Sequence, residues 1–130
     1  MAWELVLSTE TRTPAVLVVD DEPIIRMYAT VLVEDAGYVA LEAGAAEEAL
    51  AILNTRDDIR VLFTDVEIPG SLNGLEFVEV VRETWPPIAL IVTSGHVQVD
   101  PQKLPDRARF FRKPYSEGEI VKALKALPFP

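Results

Sequence analysis

One short apolar segment, residues 61–65 with the sequence VLFTD, constrains the fold of this chain more than any other. It ends abruptly in Asp65, and the loop-forming residues Pro69, Gly70 and Gly74 follow it. A short apolar run bounded by turn residues is typical of a buried strand in a parallel sheet. Because ligands of such sheets bind outside the carboxyl ends of the strands, this position favours a chemical role for Asp65. An aspartate that only ends a strand or caps a turn would leave the same pattern.

Four more apolar segments alternate with segments of helical periodicity. The further strands are predicted at residues 15–19, 38–43, 88–93 and 108–111. The helices are predicted from apolar residues at helical spacing, which are Ile24, Tyr28, Val31 and Leu32 in the first, 46–53 in the second, Leu75, Phe77, Val78 and Val81 in the third, and Ile120, Val121, Leu124 and Leu127 in the last. This alternation predicts a doubly wound α/β fold, in which helices cover both faces of a five-stranded parallel sheet.

The stretch between the fourth and fifth strands interrupts this alternation. Pro101 and Pro105 lack a backbone donor, and each disfavours helix in the residue before it. The fourth helix of the fold is therefore predicted to be short or irregular.

Composition narrows the functional classes. The 130 residues suit one domain, and we expect residues 14–130 to form it, with residues 1–13 as an N-terminal extension. The net charge of −9 argues against direct binding of nucleic acid, which depends on neutralising phosphates. The chain has no cysteine, no apolar run long enough to span a bilayer and no signal-peptide pattern at its start, so a cytoplasmic protein without membrane contact is expected.

Polar residues follow four of the predicted strands. Asp20 and Asp21 follow the first strand, Asp65 ends the central one, Ser94 follows the fourth, and Lys113 follows the fifth. A parallel sheet brings these residues to one edge, where three mutually repelling carboxylates need a cation. All-oxygen ligation suits Mg²⁺, and a lysine and a serine hydroxyl suit phosphoryl oxygens. The set predicts that Asp65 is a nucleophile toward a phosphoryl group.

With these residues the chain resembles the receiver domain of two-component response regulators, which has a flavodoxin-like fold, over about residues 14–127. The matching motifs are the acidic pair, Asp65 with Pro69 and Gly74 downstream, Ser94-Gly95 and Lys113-Pro114. The resemblance implies that Asp65 is the phosphoacceptor and that Asp20 and Asp21 organise Mg²⁺ or Mn²⁺, with the backbone carbonyl of Glu67 as a further ligand. It also implies that Ser94 supplies the switch hydroxyl, that Lys113 binds the phosphate, that Phe110 is a switch aromatic, and that the Lys113-Pro114 bond is cis.

The implied partners are a histidine kinase or histidine phosphotransfer protein and an unknown downstream protein. The domain would signal through phosphorylation-dependent contacts with that protein or act as a phosphate sink. The protein would be a monomer or weak dimer. It would catalyse only its own phosphorylation and dephosphorylation. Two features are similar to an atypical group of stand-alone receivers: the loop from Pro69 to Gly74 is one residue longer than the common spacing, and the segment from Ser94 to Lys113 is shorter. Since the sequence ends soon after the last helix, no output domain is expected.

Several residues have simpler interpretations. Asp21 could be the N-cap of the first helix, and Ser94 could be a turn former. Lys113 could be a solvated surface lysine, and Phe110 could be an ordinary core residue. His96, the single histidine, would suit an exposed loop or a gate beside the phosphoryl group.

Two other functions compete with phosphotransfer. A phosphorylation-independent binding module could use the same fold. A phosphatase of the haloacid dehalogenase type would also use an aspartyl nucleophile, but that family places it after the first strand with a second Asp two residues on, where this chain has Glu67 after the third.

Overall fold

The computed structural model describes residues 13–70, 72–95, 99–105 and 108–127. Its elements in chain order are β1 Ala15–Val19, α1 Pro23–Asp35, β2 Val39–Ala43, α2 Ala46–Thr55, β3 Ile59–Asp65, α3 Gly74–Thr84, β4 Ala89–Ser94, a 3-10 turn Pro101–Lys103, β5 Arg109–Arg112 and α4 Glu117–Lys125. Strands β4 and β5 each end one residue later than predicted, so Ser94 is the last residue of β4 rather than the first after it.

All five strands are parallel and lie in the order β2-β1-β3-β4-β5. The prediction of a five-stranded, doubly wound parallel sheet is confirmed. Because β2 lies on one side of β1 and β3 on the other, the strand order reverses between β1 and β3, and such a reversal opens a crevice at their carboxyl ends. The register pairs Val19 with Thr64, so Asp20 and Asp65 follow this pair side by side.

Helices cover both faces of the sheet, which explains why its strands are apolar on both sides. One core contains Leu17 from β1 and Phe77 from α3. The other contains Val18 from β1, Leu32 from α1 and Ile120 from α4. Alternate residues of β1 therefore point into opposite layers, and the strand is held from both sides.

Helix α1 leaves an apolar row in solvent. Its buried residues are Ala29, Thr30, Leu32 and Val33. The exposed large apolar residues are Ile24, Met27, Tyr28 and Val31. Apolar periodicity thus located the helix, but of the four residues that marked it only Leu32 is buried. The exposed residues follow the spacing i, i+3, i+4 and i+7, so they form a single row on the helix surface.

Both ends of α1 are set by residues outside it. Glu22 precedes the helix without a side-chain cap, and the Oδ1 atom of Asp20 accepts a hydrogen bond from the amide of Glu22 at 3.0 Å. The interpretation of Asp21 as the N-cap is therefore wrong. Gly37 directly follows the C-cap Ala36 and ends the helix with a φ of +96°, which favours glycine.

The loop between β3 and α3 returns closely to the sheet. The amide of Val66 donates to the carbonyl of Thr93 at 2.9 Å, and the amide of Gly74 donates to the carbonyl of Val66 at 3.1 Å. A Cβ atom at Gly74 would overlap the backbone of Val66, so only glycine fits. Asn73 and Glu76 form a capping box that fixes the start of α3. These contacts hold the segment that carries Glu67 against the end of β4.

The connection between β4 and β5 contains one 3-10 turn, Pro101–Lys103, among its described residues. This agrees with the predicted short or irregular fourth helix. Leu104, which belongs to this connection, is buried and joins the core. His96 lies outside the described residues. Among the described residues, every helix falls short of the length and apolar character that crossing a bilayer requires.

Candidate functional site

Three carboxylates meet in the crevice between β1 and β3. Asp20 and Asp65 are each only 4% exposed, whereas Asp21 lies in solvent. One carboxylate oxygen from each of the three residues lies within 4.8 Å of the others. An all-oxygen set of this kind is the ligand chemistry that Mg²⁺ and Mn²⁺ prefer, so the residues present fit such an ion.

Lys113 brings a positive charge to the same point. Its Nζ atom lies 2.9 Å from Oδ2 of Asp20 and 2.8 Å from Oδ2 of Asp65. The amide of Lys113 donates to the carbonyl of Ser94 at 2.9 Å, and the Lys113-Pro114 bond is cis, as the resemblance implied. The interpretation of Lys113 as a solvated surface lysine is therefore wrong.

Burial and pairing oppose each other at this ion pair. Burial raises the pKa of Asp65 above its ordinary value, and the hydrogen bonds from Lys113 and from the amide of Glu67 offset only part of that rise. Burial lowers the pKa of Lys113, but its hydrogen bonds with Asp65 and Asp20 outweigh this effect and raise the pKa overall. Lys113 is thus a fixed positive charge at neutral pH beside a carboxylate in a poorly solvated position.

The side chain of Glu67 joins the end of β4 to the carboxylate site. Its Oε1 atom accepts hydrogen bonds from the hydroxyl of Ser94 at 3.1 Å and from the amide of Gly95 at 2.8 Å. The amide of Glu67 donates to Oδ1 of Asp65 at 3.1 Å. Sequence reasoning assigned a role only to the carbonyl of Glu67 and missed its carboxylate. Ser94 is 2% exposed and belongs to β4, so its interpretation as a turn former is wrong.

Aromatic side chains form one wall of the cleft above the carboxylates. The ring of Tyr115 stacks on that of Tyr28, with centroids 6.1 Å apart, and lies 5.7 Å from the ring of Phe63. Burial raises the pKa of Tyr115 to about 12. The cleft has a volume of about 510 Å³, and its lining includes Asp21, Asp65, Lys113, Ile25, Tyr28 and Tyr115.

Phe110 is half-buried and packs against the core that α2 and α3 cover. It pairs with Val92, two residues before Ser94 on the neighbouring strand. This packing agrees with a core role, and a switch role for Phe110 stays a prediction.

Comparison with known families identifies the class of protein to which this fold and this edge of the sheet belong. The family model described as the response regulator receiver domain matches residues 16–125. The chain therefore belongs to the family of response regulator receiver domains, as its sequence motifs indicated. Domains of this family are signalling modules of two-component systems.

Individual relatives share only part of their sequence with this chain and are longer proteins. The nitrogen assimilation regulatory protein NtrX of Azorhizobium caulinodans is 31% identical over 110 residues, which are 82% of this chain and 24% of that protein. The sensor kinase CckA of Brucella abortus is 29% identical over 116 residues, which are 86% of this chain and 12% of that protein. The chain thus spans about a quarter or less of the length of these curated relatives.

Solved receiver structures agree with the fold along nearly their whole length. A response regulator receiver protein from Pseudomonas putida has a TM-score of 0.79 and 27% sequence identity, covering 90% of this chain and 99% of that chain. The receiver domain of NtrX from Brucella abortus has a TM-score of 0.74 and 27% identity, covering 86% of this chain and 99% of that one.

Proposed function

We propose that this protein accepts a phosphoryl group on Asp65 from a histidine kinase or histidine phosphotransfer protein and signals through phosphorylation-dependent protein contacts. The observation that carries the proposal is the ammonium of Lys113, which contacts both Asp65 and Asp20 at the carboxyl edge of the sheet. A carboxylate beside a fixed positive charge and two further carboxylates is suited to nucleophilic attack on a phosphoryl group with a cation bound.

In the proposed transfer, a carboxylate oxygen of Asp65 attacks the phosphorus atom and forms a new P–O bond. The bond between phosphorus and the leaving group breaks, and the leaving group, an imidazole nitrogen or acetate, departs with the electron pair. Lys113 neutralises negative charge on the phosphoryl oxygens, because its ammonium already contacts Asp65, which receives the group. Asp20, Asp21, Asp65 and the carbonyl of Glu67 would hold Mg²⁺ or Mn²⁺. The ion supplies further positive charge to the phosphoryl oxygens.

Ser94 and Phe110 are proposed to carry the response away from Asp65. The Ser94 hydroxyl lies at the end of β4, next to the strand that bears Phe110, and would donate to a phosphoryl oxygen. A shift of Ser94 would change the packing of Phe110 against the core. We expect a downstream protein to recognise the surface formed by β5, α4 and the connection that precedes β5.

The donor protein is proposed to dock on the apolar row of α1. The row consists of Ile24, Met27, Tyr28 and Val31. Tyr28 belongs both to this row and to the lining of the cleft, so a protein covering the row would reach Asp65. Burying such a row would also provide the association energy that a brief phosphotransfer complex needs.

The decisive experiment is phosphorylation by acetyl phosphate with Mg²⁺, followed by intact mass. We expect the wild-type protein to gain one phosphoryl group and Asp65→Asn to gain none. Asp35→Asn is the matched control, because Asp35 is an exposed aspartate in α1. A label that persists on Asp65→Asn would refute the assignment. Turnover of a generic phosphate ester would instead favour a phosphatase, and wild-type protein that never takes the label would favour a phosphorylation-independent binding module.

A further inference from the structure

The carboxylate of Glu67 occupies two hydrogen-bond donors beside the proposed phosphoacceptor. A single oxygen, Oε1, accepts from the hydroxyl of Ser94 and from the amide of Gly95, at 3.1 and 2.8 Å. The same residue donates its own amide to Oδ1 of Asp65 at 3.1 Å. Glu67 therefore connects the phosphoacceptor to the end of β4 through both its backbone and its side chain.

These donors lie close to the site of phosphoryl transfer. A Cβ atom built on Gly95 would lie 3.6 Å from the side chain of Lys113 and 3.9 Å from Oε1 of Glu67. Lys113 in turn contacts Asp65. A hydroxyl and a backbone amide that converge on one oxygen form a site for an oxyanion, and a carboxylate and a phosphoryl group are both oxyanions.

We propose that the Glu67 carboxylate is a resting-state latch, which holds the donors of Ser94 and Gly95 and is displaced when Asp65 is phosphorylated. The inference rests on the proposed function of Asp65 and adds a regulatory step to it. A phosphoryl group would bring between one and two negative charges to this space, and like charges repel at short range. The carboxylate and the phosphoryl group therefore compete for the same donors.

The latch slows phosphorylation because Ser94 must leave Glu67 before it can donate to the incoming group. Removing the carboxylate removes this competitor for the Ser94 hydroxyl and a repelling charge. We expect Glu67→Ala to raise the rate of phosphorylation by acetyl phosphate about tenfold, which corresponds to the loss of one hydrogen bond to a charged group. The metal ligand proposed at this residue is its backbone carbonyl, which the substitution keeps.

Glu22→Ala is the matched control. Glu22 lines the same cleft, and its Oε2 atom lies 3.9 Å from the ammonium of Lys113. The substitution removes a carboxylate from the cleft but leaves the bond between Glu67 and Ser94 in place. We expect its rate to stay within about twofold of wild type, since exposed charges contribute little. Rates are compared at saturating Mg²⁺ by intact mass, with Asp65→Asn as the unlabelled reference.

A double-mutant cycle with Ser94→Ala separates a latch from a general effect on the loop. If Glu67 acts through the hydroxyl, the acceleration by Glu67→Ala largely disappears when Ser94→Ala is also present. Thermal melts establish that each variant is folded. Glu67→Met, which keeps the length of the side chain and removes both acceptor oxygens, replaces Glu67→Ala if that variant does not fold.

Each outcome decides between the two proposals. An acceleration that depends on Ser94 supports the latch. Equal rates for Glu67→Ala and Glu22→Ala, a slower Glu67→Ala, or an acceleration of the same size without the Ser94 hydroxyl would overturn the latch and leave phosphorylation of Asp65 intact. Wild-type protein that takes no label overturns the proposed function and the latch together.

Discussion

The ammonium of Lys113 bridges Asp65 and Asp20, with Nζ 2.8 Å from the first carboxylate and 2.9 Å from the second. Both carboxylates are buried, so the lysine offsets a repulsion that water does not screen. One ammonium does not balance three carboxylates, and the exposed Asp21 leaves the cluster with excess negative charge. This excess of negative charge is what a divalent cation would offset.

Lys113→Ala should remain folded but accept phosphate poorly. Removing the ammonium leaves two buried carboxylates facing each other, which we expect to lower the free energy of unfolding by about 2–3 kcal/mol without metal. Phosphorylation by acetyl phosphate should slow by at least about tenfold, because the transferring group loses its fixed positive charge. Lys103→Ala is the control, since Lys103 is exposed. Unchanged phosphorylation in Lys113→Ala would limit the lysine to a stabilising role.

Asp21→Ala should keep the protein stable without metal but reduce its stabilisation by Mg²⁺. The substitution removes one of three mutually repelling carboxylates, so the melting temperature in EDTA should equal or exceed that of the wild type. The increase in melting temperature caused by Mg²⁺ should shrink, because a ligand is missing. Asp35→Ala, which changes an exposed aspartate of α1, should keep the wild-type increase. Equal Mg²⁺ responses in the Asp21 variant and wild type would remove Asp21 from the metal site.

Gly74→Ala should destabilise the protein strongly. Its new Cβ would overlap the backbone of Val66, which is held by hydrogen bonds and does not move aside easily. We expect a loss of at least about 2 kcal/mol in the free energy of unfolding, measured by urea denaturation. Gly118→Ala is the matched control, because Gly118 is also in a helix and has open space around it. There alanine should be neutral or stabilising by up to about 1 kcal/mol. A mild effect at Gly74 would mean that the loop has room to shift.

Tyr115→Phe should reduce the loss of stability at alkaline pH. The folded pKa of Tyr115 is raised from 10.0 to about 12, so the folded protein retains a proton that the unfolded chain releases. The stabilisation is complete below the unfolded pKa and is lost as pH rises through that interval. Between those limits the wild type should lose about 1–2 kcal/mol that the variant keeps. Urea denaturation at several pH values measures this, and parallel curves for the two proteins would contradict it.

The sequence predicted the parts of this site that depend on strand ends. Asp20, Asp65 and Lys113 each come at or shortly after the end of a predicted strand, and a parallel sheet brings such ends to one edge. The contact between the Glu67 carboxylate and Ser94 was not predictable in this way. It depends on the path of the loop after β3, which is fixed by the close approach of Gly74 to Val66. In the sequence Gly74 marks only a loop, and a glycine does not specify which residue lies against it.

Which face of α1 is buried also could not be predicted from the sequence. Periodicity assigned Ile24, Tyr28 and Val31 to the helix, and apolar residues on a helix usually face the core. Small residues such as Ala29 bring α1 close to the sheet instead, and the larger ones remain outside. A sequence pattern does not separate an apolar face that packs against the core from one that binds another protein.

Met27→Glu should separate phosphorylation by a protein from phosphorylation by a small molecule. Met27 lies in the middle of the exposed row of α1 and is 60% exposed, so a charge there leaves the fold unchanged. Transfer from a histidine kinase, selected as one that phosphorylates the wild type, should fall by at least about tenfold because the charge would be buried in the complex. The rate with acetyl phosphate should stay within about twofold, since Met27 is not among the residues that line the cleft. Leu75→Glu, at an exposed apolar residue of α3, is the control and should retain both activities. An equal loss with both donors would indicate a damaged site, and no loss with the kinase would place the donor on another surface.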